Sequence, residues 1–221
     1  MLDLVFRPQC AASGTAATTF CEPCRATLVE LGAACVRCAE PGDHELCRRC
    51  REAPLPLERI VTPWRFGGQL AIAIRRLKFQ RRANVARDLA PLWAPLVAAA
   101  ADHAIVVAVP LHWRRRMMRG FDHAWLLARH ACIAAGLAAP VPALCRVRAT
   151  PPQSELTAEE RSRNLVGAFV ADASVAGRAV VLVDDVVTTG ATLAAATLAL
   201  LAAGATRVTG VAIARATSAP G

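Results

Sequence analysis

Hydrophobic positions along this chain change their period several times, and each change marks an element. From Ala179 to Val183 five apolar residues follow one another without a polar break. Such a valine-rich run reads as a strand buried on both faces, as in parallel sheets. Ile105 to Val109 repeats the pattern and is ended by Pro110, and Val208 to Ala214 supplies a last strand that closes the sheet. Val61 to Phe66 and Val141 to Val147 fit shorter strands, the first followed by a Gly67-Gly68 turn. Elsewhere the period is helical. Leu70 to Lys78 turns Ile74 and Leu77 inward, and Asp122 caps a helix to Gly136 with Trp125, Ala128, Ala131, Cys132 and Ala135 on its apolar face. Leu193 to Ala203 is a helix stopped by Gly204. Thr157 to Glu160 matches a capping box for a short helix carrying Arg161, Arg163 and Asn164.

Strands alternating with helices predict an α/β fold, a parallel sheet flanked by helices. Before residue 53 no such period exists. Ala53 to Glu58 reads A-P-L-P-L-E, a linker, so two units are expected: a Cys-rich domain over 1–54 and the α/β domain over 55–221. Residues 215–221 are small and polar and are expected to fray.

Chemistry concentrates where the strand from Ala179 ends. Asp184 and Asp185 follow it, and Val187, Thr188, Thr189, Gly190, Ala191 and Thr192 lead into the next helix. A helix N-terminus offers free N–H groups and a positive dipole end, which suit a phosphate. Gly190 lets the backbone approach that phosphate, and the threonine hydroxyls add donors. The two carboxylates can accept hydrogen bonds from vicinal ribose hydroxyls, so the segment would grip a ribose 5-phosphate from both ends. An ordinary strand-to-helix connection explains the strand and the helix but not the acidic pair before a hydroxyl-rich loop. The stretch resembles the phosphoribosyl-pyrophosphate (PRPP) signature of type I phosphoribosyltransferases.

A second loop opens after Pro110. It carries Arg114, Arg115, Arg116, Arg119 and Gly120 just beyond a strand's C-terminal end, where open α/β sheets bind ligands. Arg115, Arg116, Arg119 and Gly120 are the candidate pyrophosphate loop. Asp122 could neutralise part of that arginine cluster. Trp113, Met117 and Met118 read as packing residues, and Cys132 and Cys145 as core thiols. A further cluster of Arg75, Arg76, Lys78, Arg81 and Arg82 surrounds Phe79. It fits either a solvated helix end or a phosphate or nucleic-acid contact with an aromatic for stacking.

Seven of the nine cysteines fall in the first 50 residues, as Cys10, Cys21-x-x-Cys24, Cys35-x-x-Cys38 and Cys47-x-x-Cys50. A C-x-x-C turn sets two thiolates on one side of a tetrahedral ion, and a second pair closes the site. Cys35, Cys38, Cys47 and Cys50 form the expected closed, structural zinc site, worth about 10–16 kcal/mol of apparent folding energy in zinc-finger peptides. Cys10, Cys21 and Cys24 make a half-site in which Ser13 occupies the fourth place. That half-site could hold a weak ion, hold none, or recruit water. A rival pairing joins Cys21 and Cys24 to Cys35 and Cys38, and His44 is a spare ligand.

Composition narrows the picture. Net charge is +9, from 26 Lys plus Arg, of which Lys78 is the sole lysine, against 17 Asp plus Glu. Guanidinium pairs with phosphate through a planar fork, so a polyanionic partner is favoured. The same arginine and alanine excess also fits a GC-rich genome, so only the clustering of arginines carries weight. No secretory signal is evident, and the longest apolar run, Leu89 to Ala101, is short and contains Pro91 and Pro95. No membrane span and a cytoplasmic setting are therefore expected, where paired cysteines bind metal rather than form disulfides.

The chain as a whole resembles the ComF family (competence protein F), proteins with a double zinc ribbon before a phosphoribosyltransferase-like domain. The resemblance rests on the cysteine pairs, on Leu77-Lys78-Phe79, on Val109-Pro110-Leu111 with Arg115-Arg116 and Arg119-Gly120-Phe121, and on Gln153, Leu156, Arg161 and Asn164. Asp122 and His123 stand where the family carries Asn and Gln. It implies structural Zn²⁺, PRPP held with Mg²⁺ at Asp184 and Asp185, and a lid carrying Gln153, Arg161 and Asn164. It also implies a role in uptake or use of single-stranded DNA, with a competence helicase as a possible partner. In such chemistry the arginines would stabilise the leaving pyrophosphate while an acceptor nitrogen attacks C1 of the ribose. Thr188 occupies the position where purine-salvage relatives place an Asp base. Three roles stay open: a transferase, a binding protein for PRPP or single-stranded DNA, and a PRPP-sensing regulator.

Overall fold

A computed structural model describes residues 9–16, 20–148, 165 and 167–217. In chain order the elements are α1 (Glu22–Arg25), α2 (Arg48–Glu52), β1 (Arg59–Val61), β2 (Trp64–Arg65), α3 (Gly68–Phe79), α4 (Asn84–Ala100), β3 (Ala104–Ala108), α5 (Trp113–Arg119), α6 (His123–Ala134), β4 (Leu144–Arg146), β5 (Phe169–Ala171), β6 (Ala179–Val187), α7 (Ala191–Ala202) and β7 (Arg207–Arg215). Thr157 to Glu160 and the proposed lid residues Gln153, Arg161 and Asn164 lie outside the described residues.

All pairings in the main sheet are parallel, in the order β1-β7-β6-β3, and β2 continues along β7 beyond β1. The last strand therefore does not close the sheet as expected. It lies inside, flanked by β6 on one side and by β1 and β2 on the other, and is buried from Val208 onward. β4 and β5 form a separate antiparallel pair.

Alternation along β6 divides the core. Val181 and Val183 face α3, α4 and α6, whereas Val180 and Leu182 face α7 and the β4–β5 pair. Both faces being apolar is why the run reads as continuous rather than alternating. Strand β6 also runs further than its apolar part. Asp184 pairs with Ala212, and Val187 with Arg215, so the two acids sit within the strand rather than after it.

Helix α4 has no clear signature in the sequence because it contains Pro91 and Pro95. Both prolines are exposed, one turn apart, while Val85, Leu89, Trp93 and Val97 form a fully buried stripe. The missing N–H groups fall on the solvent side, and the buried face holds the helix.

The Cys-rich segment packs onto the sheet and its helices. Cys10, Ala11, Ala12, Phe20 and Cys24 belong to the same core as Leu70, Ile74 and Leu77 of α3. Leu57, in the stretch expected to be a linker, is buried, and the Glu58 N–H donates to the Val208 carbonyl at 2.9 Å. Arg215, buried at the end of β7, donates to the Cys38 carbonyl at 2.7 Å and is ion-paired with Glu40.

Some packing expectations are corrected. Cys132 is buried, but Cys145 is exposed because alternation along β4 turns it outward. Trp113, Met117 and Met118 are also exposed, because α5 is a short helix laid on the surface. Among the described residues no helix is long and apolar enough to cross a membrane.

Candidate functional site

The connection after β3 runs to α6 on one face of the sheet, and the connection after β6 runs to α7 on the other. Where neighbouring connections part, the C-terminal ends of the strands open into a crevice. A cavity of about 310 Å³ lies there, lined by Asp184, Asp185, Thr188, Gly190 and Thr192 from the β6–α7 side. Arg115, Arg119, His123, Lys78 and Arg146 line it as well.

The segment expected to be a pyrophosphate loop is mostly helical. His112 begins α5, its Nδ1 accepting from the Arg114 N–H at 3.4 Å, and Gly120 ends it with φ 84°. Helical spacing then sorts the arginines. Arg115 and Arg119, one turn apart, reach the cavity, whereas Arg116 lines a neighbouring cavity of about 600 Å³ with Gly120, Phe121 and Trp125. Asp122 is committed to the backbone. Its Oδ1 accepts from Ala124 and Trp125 at 3.1 and 3.3 Å, and its Oδ2 accepts from Leu111 at 2.7 Å, which closes the arginine segment at both ends.

The two acids have unlike surroundings. Asp185 is buried and ion-paired with Lys78, and its Oδ2 is 3.3 Å from His123 Nε2. Arg119 lies 3.2 Å from His123 Nδ1. Arginine only donates, so Nδ1 accepts and the ring proton sits on Nε2, facing Asp185. Burial alone would raise the Asp185 carboxyl, but Lys78 and then His123 outweigh it and hold it well below the usual range. Asp184 accepts the Asp185 N–H at 2.8 Å, and burial, with the charge of Asp185 added, pushes its carboxyl well up. One carboxylate is thus already compensated, and the other is the acid that gains most from a cation or hydroxyl donor. Burial also lowers the Arg146 guanidinium, and the charge of Arg115 lowers it further. An anion between those two would relieve their repulsion.

Gly190 has φ 79° and opens α7, with Thr189 Oγ1 accepting the Ala191 N–H at 3.3 Å. A Cβ there would come within 3.2 Å of Leu55 and Ile60 side-chain carbons. The glycine is therefore required by its left-handed turn and by packing against the segment before β1, not only by approach to a ligand. Lys78 and His123, absent from the sequence-derived site, are the residues that hold Asp185. Arg146, which lines both cavities, was also not singled out.

Outside the cavity, the ends of α3 and α5 meet. Arg81 donates to the Met118 carbonyl at 2.7 Å. The Arg119 guanidinium lies 5.1 Å from the Phe79 ring centre and that of Arg114 5.3 Å from Trp113. Phe79 and Trp113 are 70% and 58% exposed.

The cysteines gather into two clusters. Cys35, Cys38, Cys47 and Cys50, all buried, bring their sulfurs within 4.8 Å of one another, and so do Cys10, Cys21 and Cys24. The rival grouping of Cys21 and Cys24 with Cys35 and Cys38 is not formed, and His44 belongs to neither cluster. Four converging thiols fit a closed tetrahedral Zn²⁺ site.

Residues 126–220 match the family model of the phosphoribosyl transferase domain, which takes in α7, β6 and β7. Over 196 residues the chain is 36% identical to the DNA utilization protein YhgH of Salmonella typhi, covering 85% of this chain and 86% of that protein. The Escherichia coli K12 protein of the same name is 37% identical over 182 residues, 79% of this chain and 80% of its own. Competence protein F of Haemophilus influenzae is 31% identical over 156 residues, 66% of this chain and 68% of its own. With these likenesses running through the sheet and the cavity at its C-terminal edge, the chain belongs to the ComF family.

Proposed function

We propose that the chain binds PRPP with Mg²⁺ at the β6–α7 cavity and serves the handling or use of DNA, as its relatives' names describe for them. The observation that carries this reading is the convergence of opposite charges on one cavity: Asp184 at one wall, Arg115 and Arg119 at another, with the Thr188 to Thr192 turn between them. The turn and the N-terminus of α7 take the 5-phosphate, Asp184 accepts from the ribose hydroxyls, and Arg115 and Arg119 face the pyrophosphate. Asp185 is spent on Lys78 and His123, so its role is to fix the strand end and add negative charge beneath the sugar.

The donor set suits Mg²⁺, which prefers carboxylate and substrate phosphate oxygens and keeps several waters. Asp184 would hold it on the carboxylate side of the cavity, and when bound it would supply positive charge that offsets the phosphates. Thr188 offers no base for a purine acceptor. Calorimetric titration of PRPP with Mg²⁺ into wild type and Asp184→Asn tests the reading. Heat in wild type that is lost in the variant supports it, and no heat at millimolar PRPP overturns it. An acceptor screen then separates a transferase from a PRPP-binding regulator.

A second reading is favoured by the surface where α3 and α5 meet. Exposed Phe79 and Trp113, each with an arginine over its ring, have the mixed stacking and charge that single-stranded nucleic acid uses. Salt-dependent binding of a single-stranded oligonucleotide, weakened in Phe79→Ala, supports this reading, and binding unaffected by that change overturns it.

A further inference from the structure

The Arg119 guanidinium is held from two sides. On one side it lies 5.1 Å from the centre of the Phe79 ring. On the other, its Nη1 is 3.2 Å from Nδ1 of His123, four residues further along the chain. His123 is buried, and its Nε2 faces Asp185 Oδ2 at 3.3 Å. Asp185 is in turn ion-paired with Lys78, the residue before Phe79. The contacts form a closed circuit through α3, α5, α6 and β6, with Arg119 inside it. Only a neutral imidazole with its proton on Nε2 can accept from Arg119 and donate to Asp185 at once. His123 borders the cavity, but both ring nitrogens are occupied and its side chain is 7% exposed, so it acts on a ligand through Arg119. Arg119 lines the cavity and is only half-buried. A loose arginine samples many rotamers, and a partner that fixes its planar fork beforehand spares that loss when an anion binds.

We propose that His123 is a positioning residue, which fixes the Arg119 guanidinium at the pyrophosphate end of the cavity and ties that arm to the buried carboxylate of Asp185. The inference rests on the PRPP reading and adds to it the residue that sets the arginine. Phe79 limits the guanidinium from the solvent side, and His123 limits it from within. Removing the imidazole leaves Arg119 its charge but not its direction. An anion held by Arg119 then loses affinity, while a phosphate held by the Thr188 to Thr192 turn does not. Glutamine can reproduce both contacts, its Oε1 accepting from Arg119 and its Nε2 donating to Asp185, whereas leucine reproduces neither.

The test titrates the full chain with three probes: PRPP with Mg²⁺, inorganic pyrophosphate with Mg²⁺, and ribose 5-phosphate. His123→Leu should weaken PRPP and pyrophosphate by about tenfold and ribose 5-phosphate by less than about twofold. His123→Gln should return pyrophosphate to within about threefold of wild type. In an Arg119→Ala background, His123→Leu should cost nothing further, because His123 acts through that arginine. Equal losses for all three probes, or an unchanged pyrophosphate affinity in His123→Leu, would overturn the proposal while leaving the PRPP reading intact. Wild type that binds neither PRPP nor pyrophosphate would instead overturn the PRPP reading, and this inference with it. Nitrogen-15 NMR of the wild-type imidazole covers the case in which a variant fails to fold. The His123 proton should sit on Nε2 at neutral pH, and a proton on Nδ1 excludes the role.

Discussion

Lys78, near the end of α3, is ion-paired with Asp185 on β6, and the pair is sealed from solvent on the carboxylate side. The only lysine in the chain is thus spent on one of the two acids of the ribose-phosphate segment.

Lys78→Met should leave Asp185 buried with only His123 beside it. Breaking such a pair costs about 3 kcal/mol or more near neutral pH. In wild type the depressed Asp185 contributes stability that is present above its unfolded value, about 4, and is lost as pH falls below it. In the variant, burial without Lys78 raises that carboxyl, so stability falls as pH rises. The gap between the two proteins should shrink as pH falls below about 4 and widen steadily from there toward neutral, as read by urea unfolding at several pH values. A gap that does not change with pH would show that the loss is one of packing alone.

Asp184→Asn should separate binding from folding. The Asp184 carboxyl is raised by burial and by Asp185, so its ionisation costs stability once pH exceeds the unfolded value of about 4. The amide escapes that cost. Its thermal midpoint should equal or exceed wild type at pH 8, while PRPP affinity drops by about tenfold or more. A variant that is both unstable and weak in binding would make Asp184 a structural residue.

Gly190→Ala should cost about 1–2 kcal/mol, because φ is 79° and the new methyl meets Leu55 and Ile60. Thermal unfolding reads the cost, and calorimetry should show PRPP affinity falling further than stability, since the turn presents the α7 N-terminus. Full binding in the variant would exclude the turn from phosphate contact.

Phe79→Ala and Trp113→Ala should each weaken single-stranded DNA by about 1–3 kcal/mol if a base stacks there, without changing the salt slope. Arg82→Ala should lower the slope by about 0.7 per lost phosphate contact. Fluorescence anisotropy between low and moderate salt distinguishes the two effects.

Local patterns made much of this site readable. The strand up to Val183, the Thr188–Thr192 turn and the C-x-x-C pairs each announce themselves within a few residues. What stayed hidden depends on distance. Nothing in α3 says that Lys78 turns inward while Arg75 and Arg82 stay in water, because its partner Asp185 lies on a remote strand. The same holds for His123, which reads only as a departure from a motif. Pro91 and Pro95 hide α4, and the interior place of β7 follows from pairing order, which periodicity does not encode.

Helix α3 touches both chemistries of the molecule. Arg76 donates to the Ala11 carbonyl, in the turn after Cys10, at 3.3 Å, and Lys78 reaches Asp185 from the same last turns. The cysteine stretch is therefore not a detachable tag on an enzyme-like body. A protease cut or a gene fusion that separated them would strip the apolar wall from Leu70, Ile74 and Leu77 and loosen the anchor of Lys78. Loss of either half would therefore weaken the packing of the other.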